Sequence, residues 1–302
     1  MANTEILVEA RPRSRVIPVV RDLVALCKPR ITMLVILTGA AGACLAPGRV
    51  ATARLLLSLL GTTLIVASAN ALNMWWERDI DGRMARTRNR PLPAGRMSPD
   101  VALAFGVGLG VVATPLLFLV NGATGLLGLV ALLSYVAVYT PLKRHTYLAL
   151  LVGAVPGAMP PLMGWTAATG SIGLGGALLF AFLFLWQVPH FAAISIFRAD
   201  DYARAGLQVI SVQHGQAAAR HMIALWTVLL VASSVLFVPL GFAGNAYLTV
   251  ATVLGAGFLA LALRGARAGT KLDVAKWAKL VFAYSIPYLS IVVVALLLDR
   301  TR

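Results

Sequence analysis

Nine apolar stretches of the length needed to cross a bilayer, roughly 20 residues, succeed one another along the chain. They fall at about 27–47, 54–76, 100–120, 123–141, 147–165, 174–197, 221–241, 245–263 and 277–298. The gaps between them are short and carry turn residues: Pro47-Gly48, Asn121-Gly122, Gly170, Gly241 and Gly244. No stretch reads as a separate soluble domain. The pattern predicts an all-α, polytopic membrane bundle of about nine transmembrane helices, with residues 27–302 forming one domain. Residues 1–26 are polar and Arg-rich and lack a signal-peptide pattern. They are expected to be retained as a basic cytoplasmic segment, mobile to about Ile17.

Composition agrees with the pattern. Of 302 residues, 59% are hydrophobic and only 12% charged, with a mean hydropathy of +0.84. A soluble domain of this length needs far more polar surface. The net charge of +15 would suit a nucleic-acid partner. No basic helix or aromatic-basic module stands apart from the spans, so none is expected. Cys27 and Cys44 show no metal or CxxC spacing and read as small apolar filler.

The cations sort by loop. Of the 26 Lys and Arg, 22 fall on one side: Arg11 to Arg30, Arg78 to Arg96, Lys143 and Arg144, Arg198 to Arg220, and Arg264 to Lys279. The other side holds Arg49, Arg54, Arg300 and Arg302. The positive-inside rule makes the first side cytoplasmic. The N-terminus is then inside and, with nine spans, the C-terminus outside.

That rule leaves the acids unexplained, because Asp and Glu contribute little to orientation. There are eleven, and five gather at the cytoplasmic ends of spans two and six: Glu77, Asp79 and Asp81, then Asp200 and Asp201. The offset of four spans hints at a repeated four-helix unit, which no residue identity supports. If span two stays helical through Asp81, then Asn73, Glu77 and Asp81 share a face at i, i+4, i+8, and Asp79 points away. An amide and two carboxylates form a hard-oxygen set. It suits Mg²⁺, which completes its shell with substrate phosphates. On span six, Trp186, His190 and Asp201 fall near one stripe, with Pro189 able to kink it. Arg86, Arg90, Lys143 and Arg144 lie near enough to take phosphate charge. The bland alternative is acid–base pairing in a solvated loop.

The residues themselves favour the first reading. The pattern N-x-x-x-E-x-x-x-D followed by "RTRNRPLPAG" resembles the first signature of the intramembrane prenyltransferases of the UbiA type. Within that family the chain looks like the branch whose acceptor is heme. The matches are "KPRIT" (28–32), "ERDIDGRMARTRNRPLPAG" (77–95), "VYTPLKRHT" (138–146), "PGAMPPLMGW" (156–165), "LFLWQVPHFAAISIFRADDYARAG" (183–206) and "YSIPYL" (284–289). The likeness as a whole covers nearly all of 27–298. His190 stands where quinone-making relatives carry Asp, and Glu77 where many members carry Asp.

The resemblance implies transfer of a farnesyl group from farnesyl diphosphate to the 2-vinyl group of heme B, with water added, giving heme O. It implies Mg²⁺ held by Asn73, Glu77 and Asp81, with a second metal at Asp200 and Asp201. Arg86, Arg90, Lys143, Arg144, Lys28 and Arg30 are its diphosphate contacts. His190, an ionisable group inside a span, becomes a residue of the acceptor half, with Trp186, Trp165 and Tyr139 as candidate heme-pocket aromatics. Heme is a substrate, since no CxxCH attachment motif exists. The implied setting is the cell membrane, with a cytoplasm-facing site and with heme A synthase or oxidase-assembly proteins as partners. Two alternatives stay open: a quinone-ring or other aromatic acceptor, and a transporter. A transporter places its ionisable groups near the bilayer midplane, whereas these acids sit at one edge.

Overall fold

The computed structural model describes residues 16–48, 50–267 and 272–301. Arg11, Arg13, Arg15, Arg49, Lys271 and Arg302, used above in the count of cations, lie outside the described residues, as does most of the N-terminal segment. The described chain is helical. α1 (Val16–Leu26) and α2 (Pro29–Leu45) meet at a 48° bend, and α3 (Thr52–Trp76) is followed by the short α4 (Arg78–Asp81). α5 (Pro99–Val120) and α6 (Gly122–Leu133) come next. A π-helical stretch (Ser134–Tyr139) and α7 (Thr140–Leu142) continue α6. α8 (Ala149–Thr169), α9 (Gly173–Phe197), α10 (Ala199–Arg204), α11 (Ile210–Gln213), α12 (Gly215–Val235), α13 (Asn245–Arg267) and α14 (Val274–Leu298) complete the order.

Every apolar stretch of the sequence contains a helix, though length and composition do not by themselves establish nine crossings. Among the described residues, seven helices are long and apolar enough to span a bilayer, or eight if the bent α1–α2 pair is one span. This is a multi-pass membrane protein. The stretch 147–165 becomes α8, which does not qualify. Pro156, Pro160, Pro161 and several glycines dilute its hydropathy, and its second half is buried. A helix enclosed by other helices needs no lipid-facing apolar coat. The stretch 221–241 is also displaced, since α12 runs from Gly215 to Val235 and turns follow it.

Local chemistry sets the boundaries. Ser98 caps α5 by accepting from the Val101 N–H at 3.3 Å, with Pro99 in the first turn. Asn121 caps α6 through Thr124 N–H at 2.9 Å and donates to the Thr166 carbonyl at 2.8 Å, tying α6 to the end of α8. Small residues let backbones close. A Cβ on Gly42 would fall 1.9 Å from the Pro161 carbonyl oxygen, and one on Gly164 would fall 1.9 Å from that of Gly39. This is how α2 and α8 pack without bulky side chains between them.

The buried core has two main parts. One joins α3, α5, α6 and α8 around Ile65, Leu117, Leu132 and Met163. The other gathers on α9, α12, α13 and α14 around Phe182, Leu230, Phe258 and Tyr288. The acid-bearing segments repeat a local device. α3 breaks at Glu77 (φ −100°, ψ 7°) and α9 at Arg198 (φ −118°, ψ 16°), and each break is followed by a short helix carrying acids. This parallel was only hinted at by the four-span offset. At the opposite end, Gly244 N–H donates to the Asp299 carbonyl at 2.9 Å, and Arg300 reaches the Cys44 carbonyl. The C-terminus therefore sits at the end of the bundle away from Glu77.

Candidate active site

Glu77 interrupts the helix that was expected to run through Asp81, yet the four-residue stacking survives. Glu77 N–H donates to the Asn73 carbonyl at 3.0 Å, and Asp81 N–H to that of Glu77 at 2.8 Å. Asn73, Glu77 and Asp81 are all buried and line one cavity, whereas Asp79 is exposed. Asn73 Nδ2 donates to Glu77 Oε2 at 3.0 Å and to Thr140 Oγ1 at 3.2 Å. Its Oδ1 accepts from Lys28 Nζ at 3.4 Å. The amide is thus fixed, with its oxygen toward the cations.

Each carboxylate is balanced by a cation. Arg90 Nη1 donates to Asp81 Oδ2 at 2.7 Å, and Lys143 is ion-paired with Glu77 Oε1. That Glu77 oxygen has no hydrogen bond of its own, only the Lys143 charge beside it. Lys28, Arg86, Arg90 and Lys143 all line the cavity. Burial, then the nearby Lys28 and Arg144 charges, pulls the Lys143 ammonium down to about 7.

Behind this charged mouth the cavity turns apolar. Its volume is about 380 Å³, and Ile31, Val35, Ile65, Val66, Leu150 and Pro156 form part of its wall. The π-helical stretch turns Tyr135 and Tyr139 to line it, their ring centroids 5.1 Å apart. The Lys143 ammonium lies 5.3 Å from the Tyr139 ring centroid. Gly153 makes room for that ring, since a Cβ there would fall 2.6 Å from it. Tyr147, Tyr202, Phe191 and Gln187 also line the cavity. A charged end for a polyanion, an aromatic middle and an apolar depth suit a substrate with a diphosphate head and a hydrocarbon tail.

Other expected residues lie elsewhere. Asp201 is buried but bound to Arg198 Nη1 at 3.6 Å and to Arg204, and Asp200 is exposed. Neither lines the cavity, though their neighbour Tyr202 does. A regular helix through Asp201 does not show this, because α9 breaks at Arg198 and the break redirects the acids. Among the described residues, no three His, Cys, Asp or Glu side chains gather into a metal-binding group. His190 does not line the cavity either. Its Nδ1 lies 2.7 Å from Ser285 Oγ, and its ring stacks on Trp186 at 4.6 Å and meets Phe282 at 4.7 Å. It faces α14 on the flank of the helix face that bears Gln187 and Phe191. Trp165 packs against Phe242 at the far end of the bundle. Arg30 and Arg144 are exposed and outside the lining.

The donor set nevertheless fits a divalent cation at the first acidic segment. Asn73, Glu77 and Asp81 line one cavity, one Glu77 oxygen is held by nothing but Lys143, and Lys28, Arg86, Arg90 and Lys143 line the same cavity. Mg²⁺ asks for one or two protein carboxylates and takes the rest of its shell from phosphate and water.

Residues 34–286 match the UbiA prenyltransferase family. The chain belongs to that family. A curated relative from Anaeromyxobacter sp. (strain Fw109-5), protoheme IX farnesyltransferase, is 53% identical over 291 residues, covering 96% of this chain and 97% of its own. A protoheme IX farnesyltransferase from Sorangium cellulosum (strain So ce56) is 55% identical over 247 residues, covering 82% and 87%. Among solved structures, a digeranylgeranylglyceryl phosphate synthase aligns with a TM-score of 0.78 at 16% identity, over 93% of this chain and 98% of that one. A UbiA homologue from Archaeoglobus fulgidus bound to GPP and Mg²⁺ aligns with a TM-score of 0.61 at 16% identity, over 92% and 100%. These structures share the fold of this UbiA family member.

Proposed function

We propose that this protein is a Mg²⁺-dependent prenyltransferase that moves the farnesyl group of farnesyl diphosphate onto the 2-vinyl group of heme B, giving heme O and diphosphate. The observation that carries the reading is the single cavity whose mouth holds Asn73, Glu77 and Asp81 opposite Lys28, Arg86, Arg90 and Lys143, and whose depth is apolar. The relatives named protoheme IX farnesyltransferase supply the acceptor. The UbiA homologue bound to GPP and Mg²⁺ supports the metal and the diphosphate.

Asn73, Glu77 and Asp81 would hold Mg²⁺, which when bound draws electron density from the diphosphate and eases departure of the leaving group. The chain's own groups do the rest. Lys28, Arg86, Arg90 and Lys143 pair with phosphate oxygens and with the charge that grows there as the C1–O bond lengthens. Arg90 and Lys143 are paired with Asp81 and Glu77, and would turn from those carboxylates toward phosphate when Mg²⁺ is bound. The Tyr135 and Tyr139 rings present π-faces to the electron-poor allylic carbon. The apolar wall holds the tail and keeps water from C1. The terminal vinyl carbon of heme B attacks C1, and water adds to the carbon left positive beside the porphyrin. A second metal at Asp200 and Asp201 would first require release of Asp201 from Arg198 and Arg204. His190, outside the cavity lining and bonded to Ser285, would act on the acceptor only through the α9 face that bears Gln187 and Phe191. The charged mouth faces the cytoplasm, with the N-terminus inside and the C-terminus outside.

Purified protein given farnesyl diphosphate should release diphosphate only when Mg²⁺ and heme B are both present. Release with a phenolic acceptor in place of heme B would favour the aromatic-acceptor alternative. No release with either would sink the prenyltransferase reading.

A further inference from the structure

The proposed reaction ends with water, yet the cavity is built to exclude it. A reacting water therefore needs a specific seat of two or more polar partners. Gln187 supplies one. It lies on α9, is 6% exposed and lines the cavity. Its Nε2 donates to the Ala154 carbonyl at 3.1 Å and to the Leu183 carbonyl at 3.3 Å, so both amide hydrogens are used. The reverse orientation would set its oxygen against two carbonyl oxygens, which fixes the amide. Oε1 accepts no hydrogen bond from any described residue and stands over Gly157, where a Cβ would fall 2.1 Å from it.

The sequence of α8 supplies further acceptors beside it. Pro160 and Pro161 have no N–H, so the carbonyls of Pro156 and Gly157 lose their helical donors. Both residues line the same cavity. Gly157 also lies one helical turn, about 6 Å, beyond Gly153, which houses the Tyr139 ring next to Lys143. That offset places the polar notch one helical turn deeper than the Tyr139–Lys143 pair that the proposed function assigns to the diphosphate.

We infer that Gln187 Oε1, with the free carbonyls of Pro156 and Gly157, seats the water that becomes the product hydroxyl. This rests on the heme-farnesylating function proposed above. The vinyl π-electrons form the C–C bond to C1 as the C1–O pair leaves with diphosphate. The seated water then gives its oxygen lone pair to the porphyrin-side cation, and its surplus proton passes to the released diphosphate. Gln187 holds no proton of the reaction. It is a positioning residue, and product identity reports on it. Without the seated water the cation instead loses a proton and gives an alkene, lighter than the hydroxylated product by one water.

The test is mass analysis of the porphyrin made by wild type, Gln187→Leu and Gly157→Ala from farnesyl diphosphate and heme B. Gly157→Ala displaces the amide without removing it. Both variants should lower the hydroxylated-to-alkene ratio by about tenfold or more, the worth of one hydrogen bond to the reacting water. A wild-type ratio in both variants overturns the inference. So does loss of all prenylated porphyrin, without alkene, in both. No prenylated heme from wild type would overturn the parent reading, and this one with it.

Discussion

Asp81 and Asp79 stand two residues apart and have opposite surroundings. Asp81 is 1% exposed, faces the cavity and is held by Arg90, while Asp79 is exposed. Asp81→Asn keeps the shape but supplies a weaker, uncharged oxygen. Turnover should fall about 100-fold or more, and Asp79→Asn should stay within about threefold, as an exposed carboxylate does. Steady-state rates at matched expression check this, and equal losses would refute the assignment. Lys143 carries a pH signature. Its ammonium is held down at about 7, and a diphosphate binds only the protonated form well. Affinity for farnesyl diphosphate should therefore fall as pH rises above 7, by up to about tenfold per unit for the one proton involved. Lys143→Arg, always charged, should flatten the slope. Isothermal titration from pH 7 to 9 reads both, and a flat wild-type profile would remove Lys143 from the diphosphate site. These charged residues were legible in the sequence because charge is scarce in an apolar chain and so needs a reason. Gln187 was not. A neutral polar residue inside a span looks like filler until packing shows which way its amide points. His190 was legible as unusual, but its neighbour Ser285 lies 95 positions away.

At the scale of elements, the spans were readable and their interruptions were not. The π-helical stretch Ser134–Tyr139 turns Tyr135 and Tyr139 onto the cavity. A 3.6-residue period cannot reveal such a local shift in register. The break at Glu77 was likewise hidden, since the i, i+4 stacking is the same with or without it. α8 was located from its length, yet its role as an enclosed central helix depends on glycines whose importance lies in the partner backbone. Gly164→Ala drives a Cβ to 1.9 Å from the Gly39 carbonyl oxygen and must part α2 from α8. The cost should be about 1–3 kcal/mol. Gly108→Ala meets nothing within 4 Å and should be neutral or mildly stabilising. Thermal unfolding in detergent compares the two, and equal midpoints would show that the close approach contributes nothing.

For the whole molecule, the division of cations and the arrangement of loops agree. The Lys28, Glu77, Lys143 and Asp201 segments lie at one end of the bundle, and Cys44, Asn121, Gly170 and Arg300 at the other. Single cysteines at positions 90 and 170, in a background without Cys27 and Cys44, should label from opposite sides of the membrane. Labelling from one side would break the topology. Loop charge made this polarity readable, whereas hydropathy alone cannot say which helix other helices enclose, as α8 shows. The central claim joins the charged mouth, the apolar depth and a heme acceptor in one cavity. Its most direct test is mass analysis of the porphyrin after incubation of wild type and Asp81→Asn with farnesyl diphosphate, heme B and Mg²⁺. The account predicts a porphyrin heavier by one farnesyl group and one water from wild type, and unchanged heme B from the variant. Unchanged heme B from both, with farnesyl diphosphate consumed on another acceptor, would contradict it.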